Sequence, residues 1–150
     1  MPDGAVEKMC LEEGLFSDFT ILSQKDKKFP CHCIILAAKS SYFKSLLTTQ
    51  MREELKKEHK LNHSNQVVKA FVQYFYTGEV PLAVLEANLP IFLELSDYYD
   101  LQPMRAQVEN LAIKGITMEN VVEMFHLADL YNAPTLKEAT RFFNLVNKKW

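Results

Sequence analysis

The residues most capable of chemistry in this 150-residue chain are the donors at Cys31-His32-Cys33, followed closely by the hydroxyls of Ser40 and Ser41. Two thiols and an imidazole in a row suggest a metal site. Consecutive donors, however, alternate sides on a strand or splay around a helix, and no fourth-ligand cluster follows. Buried thiols acting as small hydrophobes are the better reading of these cysteines. His32 with a nearby serine is the closest approach to a nucleophile and base, but no third group is placed to orient the histidine, and both serines read as helix caps. His59 and His63 are four apart, the spacing of one helix face. The strand and turn expected there spoil that geometry, so they read as solvated. No catalytic residue, metal or cofactor is expected, which directs attention to binding.

The elements around these residues start from Pro30 to Leu47. Ile34, Ile35 and Ala38 recur at helical spacing, Lys39-Ser40-Ser41 interrupts, and Phe43, Leu46 and Leu47 resume on a second helix. Ser40 is a suitable N-cap, since its hydroxyl can accept from an orphan N–H one turn on. Before this hairpin, Ala5 to Glu13 reads as an amphipathic helix with Val6, Met9 and Cys10 on one face. Phe16 to Leu22 reads as a strand, Gln24 to Lys27 as a turn and Lys28-Phe29-Pro30 as a second strand. Thr48 to Glu58 is charge-dense and expected as a surface loop, and His59-Lys60-Leu61 as a short strand. Ser64 opens a helix whose buried stripe is Val68, Phe71, Val72 and Phe75, closed by Gly78.

The second half repeats itself. Asn88 to Tyr99 matches Asn120 to Tyr131 at an offset of 32 residues, and each copy is followed by a proline-containing turn (Pro103, Pro134) and another helix, Met104 to Ile113 and Leu136 to Val146. A repeat of this period predicts stacked helical hairpins. Asn88 and Asn120 stand where N-caps are wanted, and Thr117-Met118-Glu119 joins the pairs. Helices dominate, with the sheet as an edge feature: an α+β, mostly helical chain.

Composition narrows the function classes. The formal net charge is −2, with no basic stripe, so no nucleic-acid footprint is present. No apolar run approaches the ~20 residues of a membrane helix, and the first residues lack the pattern of a signal peptide. An odd count of three irregularly spaced cysteines is a poor disulfide framework. The expectation is an intracellular, reducing compartment, cytoplasmic or nuclear.

Several segments together resemble the BTB/POZ domain. They are Phe16-Ser17-Asp18, then His32-x-x-x-Leu36-Ala37-Ala38-x-Ser40-x-Tyr42-Phe43, then Phe71-x-x-x-Phe75-Tyr76-Thr77-Gly78, and finally Leu95-Ser96-Asp97-Tyr98-Tyr99-x-Leu101. The resemblance covers residues 5–113 as the domain itself, with helical hairpins around a small mixed sheet. Residues 117–148 look like the helical extension called a 3-box, or a partial BACK domain. Within the family the chain looks most like the speckle-type POZ (MATH-BTB) adaptors.

That resemblance implies association rather than catalysis: a homodimer, and binding to cullin-3 as an adaptor in a ubiquitin ligase complex. It makes Val6, Met9, Cys10, Ile34 and Ile35 dimer contacts. It makes Met51-Arg52-Glu53 the hydrophobic-x-Glu element that meets cullin, with Asp97 and Tyr98 beside it. In a 3-box, Met124, Phe125, Leu127, Tyr131 and Phe142 line either a groove for the cullin N-terminal tail or the pair's own core. Many transcription-factor members place a basic residue directly after the histidine to pair with the aspartate; here Asp18 is present, but Cys33 takes the basic position. No segment reads as a MATH, Kelch or zinc-finger module, so the substrate is unknown. The alternative implied is a scaffolding BTB dimer without ligase activity that pairs with other BTB proteins.

Overall fold

The structure, a computed structural model, describes residues 14–50 and 57–147. The expected helix over residues 5–13 and Met51-Arg52-Glu53 lie outside them. The chain divides into two compact units, one up to Val84 and the other from Leu85.

In the first unit, β1 (Phe19–Leu22) is central in a three-stranded sheet of order β2-β1-β3. It runs antiparallel to β2 (Lys28–Cys31), with Phe19 opposite Cys31, and parallel to β3 (Glu58–Lys60), with Thr20 opposite Glu58. Strand β1 starts later than the sequence suggests, because Phe16 has φ 58°, a left-handed conformation that no strand continues through. The sheet is also no edge feature. Ile21 is fully buried, and β1 and β2 pack on α3 (Asn65–Thr77).

The helical hairpin forms as expected. Helix α1 (Cys33–Lys39) ends at Ser40, whose backbone is extended, and α2 (Ser41–Gln50) begins with the Phe43 N–H donating to Ser40 Oγ at 3.3 Å. Helix α2 carries through Thr48 to Gln50, so the start of the expected loop is helical. Helix α3 has the two ends its sequence signals. Ser64 Oγ accepts from Val67 N–H at 3.3 Å, and Gly78 takes φ 86°, which costs a glycine no Cβ clash. The core of this unit is aromatic: Phe43 and Phe75 have ring centroids 5.9 Å apart and Phe71 and Phe75 5.3 Å, all edge to face. His59, expected as solvated, is half-buried with its ring 5.3 Å from Phe43 and 5.8 Å from Tyr42. Parallel pairing with β1 turns it onto the hairpin. A short helix α4 (Leu82–Ala87), unforeseen in the sequence, buries Leu85.

The second unit holds two helical pairs: α5 (Leu89–Tyr98) with α6 (Gln102–Lys114), and α7 (Val121–Leu130) with α8 (Pro134–Asn147). The 32-residue repeat extends to the backbone. Helix α5 ends with Asp100 at φ 55° and the Leu101 N–H on Ser96 O at 2.8 Å; α7 ends with Asn132 at φ 55° and the Ala133 N–H on Ala128 O at 2.9 Å. Both are six-residue C-terminal closures in which a short polar side chain tolerates the left-handed position. Pro103 and Pro134 are not in the turns. They occupy the first turns of α6 and α8, where a missing N–H costs nothing. Asn120 does not cap α7 with its side chain. Its Oδ1 accepts from Thr117 N–H at 2.8 Å and its Nδ2 donates to Gly115 O at 2.8 Å, so it closes the join between the pairs.

Candidate interaction surfaces

The residues with most chemical potential are used internally. Cys31 ends β2 and is buried, with Sγ 3.6 Å from Phe19 O. Burial, aided by Cys33 and Asp18, pushes its thiol up to about 12. Cys33 opens α1, and burial followed by the Asp18 carboxylate pushes its thiol up to about 11. His32 lies between them but turns away. Its Nδ1 is 2.7 Å from the Tyr76 hydroxyl, and its Nε2 meets Leu15 O. A carbonyl only accepts, so Nε2 carries a hydrogen and, in the neutral ring, Nδ1 accepts from Tyr76. The three donors therefore diverge. Among the described residues no group of three metal-ligating side chains converges. Asp18 Oδ1 accepts from Cys33 N–H at 2.8 Å, so the aspartate fixes the start of α1 through the backbone at the position where a basic side chain was absent.

Near this network three large apolar side chains, Leu15, Phe16 and Ile34, are exposed. Ile34, one residue into the first turn of α1, is 78% exposed, while Ile35 is half-buried. Phe16 is 91% exposed, and its neighbour Leu15 is tied to His32 just before α1. So of the dimer residues expected from the sequence, Ile34 stands in solvent and Ile35 is shared with its own unit. Val6, Met9 and Cys10 lie outside the described residues. Phe16 was expected within a strand; its exposure follows from a left-handed backbone that no sequence pattern announced.

In the second unit Tyr98 is an exposed aromatic at the end of α5, edge to face with Tyr99 at 4.9 Å. Asp97 is braced: its Oδ1 takes Arg105 Nη2 at 3.4 Å and Asn132 Nδ2 at 3.0 Å. Met51, Arg52 and Glu53, expected beside these two, lie outside the described residues. Met124, Phe125, Leu127 and Tyr131 are half-buried, whereas Phe142 is exposed. Lys137 and Arg141 each sit 5.8 Å from the Phe125 ring and cover it. Phe142 is joined in solvent by Leu145 and Val146, an i, i+3, i+4 stripe that helical spacing could have flagged. A groove of about 320 Å³ lies in this unit, with Arg105, Asp129, Asn132 and Lys137 among its walls. No described helix is long and apolar enough to cross a membrane.

Known proteins match this chain in both sequence and fold. A family model described as the BTB/POZ domain matches residues 8–116. Kelch-like protein 23 of Pongo abelii is 28% identical over 130 residues, covering 86% of this chain and 23% of that protein. Kelch repeat and BTB domain-containing protein 4 of Homo sapiens is 31% identical over 137 residues, covering 91% of this chain and 25% of that protein. The chain thus spans about a quarter of the length of these relatives. The solved BTB domain of zebrafish PATZ1 shares the fold with a TM-score of 0.61 at 18% identity, over 73% of this chain and 86% of that one.

Proposed function

The chain belongs to the BTB/POZ domain family, and on that premise we propose that it is a homodimeric adaptor module that binds the N-terminal domain of cullin-3 in a ubiquitin ligase complex. The observation that carries the association reading is Ile34, a large apolar side chain 78% exposed on a helix anchored in its unit by fully buried Leu36. Exposed Phe16, held in a left-handed conformation, supports it. Strain kept at an exposed aromatic is compatible with a docking role. The proposed dimer surface comprises Ile34 and Ile35 with Val6, Met9 and Cys10, and a stable dimer of this kind buries about 2,000 Å² or more.

The proposed cullin surface is Met51, Arg52 and Glu53 with Asp97 and Tyr98. Methionine is a flexible apolar anchor and a carboxylate beside it sets register. Exposed Tyr98 supports that surface, while Asp97 has much of its capacity committed to Arg105 and Asn132. The proposed organisation is a BTB domain over residues 5–113 followed by a 3-box or partial BACK extension over 117–148, supported by the repeated helical pairs. The likeness to speckle-type adaptors rests on the sequence motifs, whereas the relatives named above are Kelch proteins. The proposed setting is the cytoplasm or nucleus.

Light scattering of the purified chain, alone and with the cullin-3 N-terminal domain, tests the proposal. A dimer alone and a 2:2 complex are expected. Ile34→Asp should yield a monomer, and Met51→Asp and Glu53→Lys should each weaken cullin binding. A monomeric native chain would overturn the dimer. A dimer that ignores cullin would leave a scaffolding BTB module that pairs with other BTB proteins.

A further inference from the structure

Helix α8 does not cap itself. The residue before it is Ala133, which has no side-chain acceptor, and its first residue is Pro134, which has no N–H. The Leu136 N–H, at the third position of the helix, is the donor an N-cap side chain normally satisfies. Here it donates to Glu109 Oε2 at 2.8 Å, from 27 residues earlier. Glu109 lies on α6 and is 6% exposed. A carboxylate that dry needs a fixed donor, and α6 is the helix of the first pair that packs on α8.

One more tie runs the same way: Asp97 holds Asn132 Nδ2 at 3.0 Å. Two acidic residues of the first pair thus hold the turn before α8 and its first turn.

We propose that Glu109 is the positioning residue of the second helical pair. It caps α8 in trans, so the first turn of α8 is complete only while the pair is seated on α6. Helix α8 carries Phe142, Leu145 and Val146 in solvent, and Glu109 therefore controls whether that face is presented as one ordered surface. The inference concerns the chain alone and stands whether or not cullin is the partner.

Amide exchange on the full chain tests it, comparing the native protein with Glu109→Ala and Glu109→Gln. Glutamine keeps the length and one acceptor oxygen. In Glu109→Ala the α8 amides should exchange about fivefold faster or more, the scale expected for loss of a cap, with α3 amides unchanged. Glu109→Gln should restore most of the α8 protection. Unchanged α8 exchange in the alanine variant would overturn the proposal. So would an equal rise in α3, which marks general destabilisation, or a glutamine variant no better protected than alanine.

Discussion

Asp97 and Asp129, 32 residues apart, each meet a cation eight residues further along: Asp97 Oδ1 lies 3.4 Å from Arg105 Nη2, and Asp129 Oδ1 lies 2.6 Å from Lys137 Nζ. The repeat therefore conserves an ion pair that ties the two helices of each pair together. The environments differ. The Arg105 side chain is 12% exposed and its aspartate 30%, whereas Asp129 is largely in water at 60%. Asp97→Ala should cost about 2 kcal/mol, because it strands a mostly buried guanidinium and releases Asn132. Asp129→Ala should leave the urea midpoint unchanged, as expected for a solvated pair. Equilibrium unfolding of the two variants checks the contrast.

Tyr76→Phe removes the donor to His32 Nδ1. Both residues are buried, so the ring nitrogen would lose its partner where water does not reach. A loss of about 2 kcal/mol is expected, the usual cost of an unsatisfied buried polar group. Thermal and urea unfolding of the variant measure it, and a neutral result would mean the bond contributes little.

His59 makes stability depend on pH. Burial holds its pKa below the ordinary 6.5, so on acidification the unfolded chain takes the proton first. Stability from this residue is complete above about pH 6.5 and is lost progressively as pH falls from there through the lower folded-state value. The urea midpoint should decline between pH 7.5 and 5, and His59→Phe should flatten that decline, since the ring contacts with Phe43 and Tyr42 remain available to phenylalanine.

The thiols of Cys31 and Cys33 should be unreactive. With values raised to about 12 and about 11, both are protonated at pH 8. Alkylation requires the thiolate, so Cys33 should label about a hundredfold more slowly than a free cysteine, and Cys31 only on unfolding. Peptide mapping after a timed iodoacetamide pulse separates them from Cys10.

What local chemistry writes into a chain was readable here. The Ser40 and Ser64 caps, the Gly78 stop and the buried stripe of α3 each involve residues within a turn or two of one another, and the 32-residue repeat copies one such local pattern. The family signature is a set of such local features in order. Where the sequence misled, the same residue type served a second role or a distant partner had intervened. His59 is polar and reads as solvated until parallel pairing with β1 turns it onto Phe43. Asn120 stands at a cap position but bonds backward to Thr117 and Gly115. Prolines that suggest turns sit inside the first turns of α6 and α8, because helix entry and turn ask the same φ of proline.

By itself, then, the sequence determined most of the helical segments, where several of them stop, and that their faces must be buried against something. Only the tertiary structure decided what completes them. Tyr76 meets His32 Nδ1 across 44 residues, and Glu109 caps α8 across 27. Such bonds join groups whose separation in sequence carries no period, so no local pattern encodes them. They exist only once packing has expelled the water that would otherwise satisfy each group.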